Sequence, residues 1–98
     1  MSDSIKDIVS TIIEFRNDRD WHLSDNPEKL AKSIIIEAAE LLENFQWGDV
    51  SYDEENVKEE LADVLIYAIA MAHDLGLNIK EIIHDKLKKN EVKYPSKN

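Results

Sequence analysis

Hydrophobic residues recur at helical spacing along most of the chain. In the first segment they return every three or four residues, which is typical of one face of an amphipathic helix. Capping residues, a proline and two glycines mark the boundaries of four predicted helices. These helices run from Ser4 to Asp18; from Pro27, capped by Asn26, to about Gln46 before Gly48; from a capping box at Ser51 and Glu54 to Gly76; and from Asn78, with Glu81 three residues later, to near Pro95. The pattern therefore predicts an all-α, four-helix bundle.

The two central helices carry apolar residues on more than one face. Between Ile34 and Leu42 only Glu37 and Glu40 are polar, and the nine residues from Val64 to Ala72 are all apolar. Helices of this kind need burial on several sides, and four helices in 98 residues cannot enclose two of their own. We therefore expect a homo-oligomer, either a dimer or a tetramer. A bilayer span needs roughly 20 apolar residues, so no membrane partner is expected.

Composition narrows the functional classes. The length suits a single domain over residues 1–98, and the absence of cysteine leaves only oxygen and imidazole as metal ligands. The net charge of −9 argues against a nucleic-acid polymer as partner. No secretory signal pattern is visible at the N-terminus, so a cytoplasmic location is expected. Residues 80–98 are an exception to the acidic balance, because they hold six lysines and three acids.

Two acid pairs stand out because of their surroundings. Glu37 with Glu40, and Glu60 with Asp63, are each three residues apart and so share a helix face. Apolar neighbours would deprive an uncompensated carboxylate of its hydration. If the central helices form an antiparallel hairpin that turns near residue 50, Glu37 lies level with Asp63 and Glu40 with Glu60. No lysine or arginine lies between residues 33 and 57, so we expect a divalent cation, Mg²⁺ or Mn²⁺, to hold the acids ionised.

Two other interpretations of the acids remain open. In one, they face solvent and the chain is a non-catalytic helical interaction module whose apolar helices dimerise. In the other, they belong to a carboxylate-bridged di-iron bundle, which needs a glutamate followed three residues later by histidine on two helices. Only Glu81 with His84 has that spacing, and a second copy is missing.

Several stretches of the chain together resemble the MazG-like all-α nucleoside triphosphate pyrophosphatases, in particular their short dCTP pyrophosphatase-like members. The matching stretches are Arg19-Asp20-Trp21; EAAELLENFQW from Glu37 to Trp47; EELADVLIY from Glu59 to Tyr67; and Lys86 followed by Asn90, Lys93, Tyr94 and Pro95. Together they cover about residues 15 to 95. Four matches in the same order make the resemblance specific.

This resemblance implies a chemistry that the residue pattern alone does not. It implies that all four acids of the two pairs ligate Mg²⁺ and serve catalysis. The implied reaction is hydrolysis of a nucleoside triphosphate, such as the deoxynucleotide dCTP, between its α- and β-phosphates, which would cleanse the nucleotide pool. Lys86, Asn90 and Lys93 are implied to help hold the triphosphate.

The resemblance also implies that Trp21, Trp47 and Tyr67 contact the nucleobase. Trp47 follows the first acid pair and Tyr67 follows the second, so in an antiparallel hairpin the two rings extend in opposite directions. Either one ring is structural or different subunits complete the pockets. The first helix presents apolar Ile12 and Ile13 where a base-selecting polar contact would be expected, so the base preference is left open.

Overall fold

A computed structural model describes residues 4–97, and within that range the chain is helical with no strand. The helices are α1 (Ile5–Asp18), α2 (Trp21–Ser24), α3 (Pro27–Glu43), α4 (Glu54–Asp74) and α5 (Ile79–Lys93). The all-α prediction is confirmed. The single turn of α2 was not predicted, and it follows Asp20, whose φ of 57° lies in the left-handed region.

Most of the predicted helix boundaries agree with the structure. The side chains of Ser4, Asn26 and Asn78 accept hydrogen bonds from backbone N–H groups three residues later, as N-caps do. The prediction of Ser51 as the next cap was wrong, because Asp53 accepts from the N–H of Asn56 at 3.2 Å and α4 begins at Glu54.

The connection from α3 to α4 is longer than predicted. Helix α3 ends at Glu43 and not near Gln46, and the following residues form turns. The rings of Phe45 and Tyr52 pack with centroids 4.9 Å apart across this connection. Both rings belong to the connection, which covers residues 44–53 and therefore includes Ser51.

The fold is organised around an antiparallel hairpin of α3 and α4. These two helices share the most extensive contact in the molecule, and α1 packs against α4. Helix α5 makes little contact with the others and leaves α4 at an angle of 103°. Within residues 4–97 no single helix is long and apolar enough to cross a membrane, although α4 and α5 meet the length and composition criterion as a bent pair.

The single chain is extended and buries few residues. Its accessible surface is 8027 Å², whereas a folded monomer of 11.3 kDa is expected to expose about 5,700 Å². Its radius of gyration is 16.0 Å, against about 12.6 Å for a compact domain of this length. The central helices expose many of the apolar residues that predicted an oligomer, among them Ile35, Ile36, Leu42, Leu61 and Leu65. A single chain therefore does not form the closed four-helix bundle that the sequence predicted.

Candidate active site

Three carboxylates converge where α3 packs against α4. Glu37 comes from the middle of α3, and Glu60 and Asp63 lie one turn apart on α4. One oxygen from each side chain lies within 4.8 Å of the others, and all three residues are partly buried. Spacing of three residues places the α4 acids on one face, and the hairpin brings Glu37 level with both. We call these three residues the acid cluster.

The acid cluster lacks compensation within the described part of the chain. Glu37 Oε2 and Glu60 Oε2 are buried and have no hydrogen-bond partner there. Burial, together with the neighbouring carboxylates of Glu60 and Glu40, raises the pKa of Glu37 to about 7. Burial also raises the pKa of Glu60. Buried carboxylate oxygens without partners cost free energy unless a proton or a cation compensates them, so these donors fit a hard divalent cation.

Glu40 lies one turn after Glu37 but is exposed. Its charge is close enough to raise the pKa of Glu37 and of Glu60. Its carboxylate is nevertheless not part of the group that converges within 4.8 Å. Three of the four predicted ligands are thus brought together, and Glu40 as the fourth ligand stays a prediction.

A cavity of about 420 Å³ adjoins the acid cluster. Asp63 is common to the two, because it belongs to the acid cluster and is also a lining residue of the cavity. Two of the predicted base-contacting residues, Trp21 and Tyr67, line it as well, and the Phe15 ring meets Trp21 edge to face at 5.6 Å. The apolar walls are completed by Ile12, Leu30, Ile66 and Ala70. Flat aromatic walls of this kind suit a nucleobase.

The other predicted substrate residues lie elsewhere in the single chain. Trp47 is 83% exposed in the connection after α3. Lys86, Asn90 and Lys93 are on α5, where both lysines are exposed and Asn90 is partly buried. None of the four lines the cavity or joins the acid cluster. Tyr67 lines the cavity and Trp47 does not. This agrees with the prediction that the two rings extend in opposite directions along the hairpin.

Sequence reasoning missed a buried arginine beside this cavity. Arg16 is 4% exposed and donates two hydrogen bonds to Asp74, at 3.1 and 2.9 Å, and one to Asp25 at 3.1 Å. Hydrogen bonding to Arg16 lowers the pKa of Asp74. The available signal was position, since Arg16 falls four residues after Ile12 and seven after Val9, on the apolar stripe of α1.

The fold and the site define a class: all-α proteins with an acid-bearing helical hairpin beside an aromatic cavity. The MazG-like family model matches residues 32–98, and the chain belongs to that family. This confirms the resemblance inferred from the sequence.

Individual relatives agree with the family assignment. The chain is 31% identical to dCTP pyrophosphatase 1 of Mus musculus and 30% identical to that of Homo sapiens. These alignments cover 94% and 95% of this chain but only 59% and 60% of those proteins, so the chain spans about three fifths of their length. A crystal structure of a pyrophosphatase from Archaeoglobus fulgidus matches with a TM-score of 0.83 and 40% identity, covering 98% of this chain and 96% of that one.

Proposed function

We propose that this chain is a nucleoside triphosphate pyrophosphohydrolase that requires a divalent cation, Mg²⁺ or alternatively Mn²⁺. It cleaves a deoxynucleoside triphosphate such as dCTP between the α- and β-phosphates, releasing the monophosphate and pyrophosphate. The observation that carries the proposal is the shared position of Asp63, which both lines the cavity and belongs to the acid cluster. A nucleotide with its base in the cavity would extend its phosphates toward the carboxylates. The names of the relatives support the same reaction class.

Each group of side chains has a role in this proposal. The acid cluster, with Glu40, would hold the cation. A cation bound there would supply neutralisation of the phosphate oxygens and a lowered pKa of a water molecule. A carboxylate of the set would accept the proton of the attacking water. Trp21 and Tyr67 orient the base, which fixes the position of the phosphates relative to the acids.

Self-association is part of the proposal, because the single chain leaves predicted substrate residues away from the cavity. The excess of accessible surface and the exposed apolar faces of α3 and α4 support pairing between copies. In a dimer or tetramer, Trp47, Lys86, Asn90 and Lys93 of one copy would complete the site of another. Sedimentation equilibrium tests this, and a monomer that retains full activity would contradict it. The single domain over residues 1–98, the cytoplasmic location and the role in cleansing the nucleotide pool stay predictions.

The reaction is tested by incubating the protein with each nucleoside triphosphate and Mg²⁺ and separating the products by ion exchange. We expect monophosphate and pyrophosphate in equal amounts, and no turnover in the presence of a chelator. Diphosphate and inorganic phosphate as products would contradict cleavage at the α–β bond. No turnover with any nucleotide, together with no effect of Mg²⁺ or Mn²⁺ on thermal stability, would contradict the enzyme and favour the interaction module.

A further inference from the structure

The cavity lining includes three polar or charged residues that the proposed function does not use: Thr11, Arg16 and Asp25. The Thr11 hydroxyl donates to the backbone carbonyl of Asp7 at 3.0 Å, and Arg16 donates to two aspartates. Asp25, between α2 and α3, lines the cavity with Trp21 and Tyr67. Its Oδ2 accepts a hydrogen bond from Arg16 at 3.1 Å, and within residues 4–97 its Oδ1 accepts none. The Asp25 side chain is 26% exposed, and among the described residues its Oδ1 is not one of the buried oxygens without a partner, so this oxygen is accessible. A carboxylate oxygen is only an acceptor, and it therefore calls for a ligand with an N–H or O–H group.

Arg16 holds this carboxylate in place. Its guanidinium is itself fixed by two hydrogen bonds to Asp74, and Arg16 is almost completely buried. Bidentate pairing restricts both partners to one geometry. This pairing fixes Arg16 on Asp74, and the single hydrogen bond from Arg16 then restricts the Asp25 carboxylate. A preorganised acceptor discriminates between ligands better than a mobile one.

The charges decide which end of a nucleotide meets Asp25. Two aspartates pair with the single positive charge of Arg16, so this group carries no excess positive charge that would attract phosphate. The acid cluster, which fits a cation, lies on the Asp63 side of the cavity. The phosphates therefore go toward Asp63, and the base meets the aromatic walls and Asp25.

We propose that Asp25 recognises the nucleobase, accepting through Oδ1 a hydrogen bond from an exocyclic amino group, while Arg16 acts as its positioning residue. The assignment rests on the proposed function and specifies its substrate class as triphosphates of amino-bearing bases. Cytosine and uracil differ at the relevant position, where the first carries an amino donor and the second a carbonyl acceptor. A carbonyl facing Asp25 would leave two acceptors opposed without a proton between them. The base-selecting contact would then come from Asp25, the residue that follows α2. The sequence left the base preference open, because α1 has apolar Ile12 and Ile13 where a polar contact would be expected.

The test compares kcat/KM for dCTP and dUTP in the wild-type protein and in Asp25→Asn. A single well-placed contact of this kind discriminates by about 10- to 100-fold, so we expect the wild-type protein to favour dCTP by that factor. The amide of Asp25→Asn can turn its NH₂ toward the uracil carbonyl, so the preference should fall to within about threefold. The ratio of two substrates in one variant is insensitive to the fraction of folded protein.

Two further variants serve as controls. Asp18→Asn makes the same chemical change at an exposed position at the end of α1 and should keep the wild-type ratio. Arg16→Lys retains the charge but loses the bidentate geometry, and should lower the ratio. An unchanged ratio in Asp25→Asn, or a wild-type protein without preference, would overturn the assignment.

Calorimetric titration with dCMP and dUMP separates this assignment from the proposed function, because it needs no turnover. Tighter binding of dCMP that disappears in Asp25→Asn supports base recognition even if no triphosphate is hydrolysed, in which case only the reaction is refuted. Hydrolysis of dCTP with equal binding of both monophosphates by the wild-type protein would refute the recognition and leave the reaction standing.

Discussion

The two groups of acids that border the cavity differ in how their charge is balanced. Asp25 and Asp74 share Arg16, which donates hydrogen bonds to both. Among the described residues no cation pairs with the acid cluster, and two of its oxygens are buried without a partner. The pKa of Asp74 is lowered and that of Glu37 is raised. In the first group the acids are paired with a cation of the chain itself, although Arg16 Nε is buried without a hydrogen-bond partner. The second group has no such cation and requires one from outside the chain.

Removing one acid from the acid cluster should have the largest effect, a loss of activity. Glu60→Gln should lower kcat/KM by at least about 10³-fold, because a cation contributes several kcal/mol of transition-state stabilisation. It should not destabilise the fold, since the amide no longer carries an uncompensated charge. The matched control is Glu59→Gln, the exposed neighbour on α4. Glu40→Gln should also abolish turnover if Glu40 is the fourth ligand. Activity within tenfold of wild type in Glu60→Gln would refute the site.

Removing the central residue of the other group should have the opposite consequence, a loss of stability. Arg16→Met leaves Asp25 and Asp74, each about a quarter exposed, without their cation. Breaking such a pair is expected to lower the free energy of unfolding by about 2 to 3 kcal/mol, somewhat less than for a fully buried pair. Urea denaturation measures it. In Arg19→Met the same change removes an exposed guanidinium stacked 3.5 Å from the Phe15 ring, which should cost less than about 1 kcal/mol. An equal loss in both variants would contradict the structural role of Arg16.

The two groups also differ in how far the sequence predicts them. The acid cluster joins consecutive helices, so spacing on each helix and the turn between them predicted that Glu37 would meet the acids of α4. Arg16 pairs with Asp74, which lies 58 positions later in the sequence. No local sequence pattern determines how α1 packs against α4. The position of Arg16 on the apolar stripe of α1 could have indicated its burial, but not its partners. The position of α5 was equally unpredictable, because its caps define a helix and leave its direction open.

The two groups should also differ in how they make stability depend on pH, as Asp74 and Glu37 illustrate. Asp74, with its lowered pKa, adds stability that is complete above the ordinary aspartate value of 3.8 and is lost only as the pH falls through the lowered folded value. Glu37 acts in the other direction: the folded state keeps its proton up to about 7, whereas the unfolded chain releases it near 4.5. Between these values the folded state binds more protons, so its stability falls as the pH rises.

Thermal unfolding in a chelator from about pH 5 to about pH 8 measures this dependence. The Tm of the wild-type protein should fall relative to that of Glu37→Gln, which lacks the titrating group, and the comparison cancels the contribution of the histidines. Mg²⁺ should restore the wild-type Tm at the upper end of the range, because the cation replaces the proton on the same oxygens. The Arg16→Met protein should show the same slope as wild type, since the charge that titrates in this window is not its own. Parallel curves for wild type and Glu37→Gln would mean that the acid cluster is solvated after all, and the contrast between the two groups would disappear.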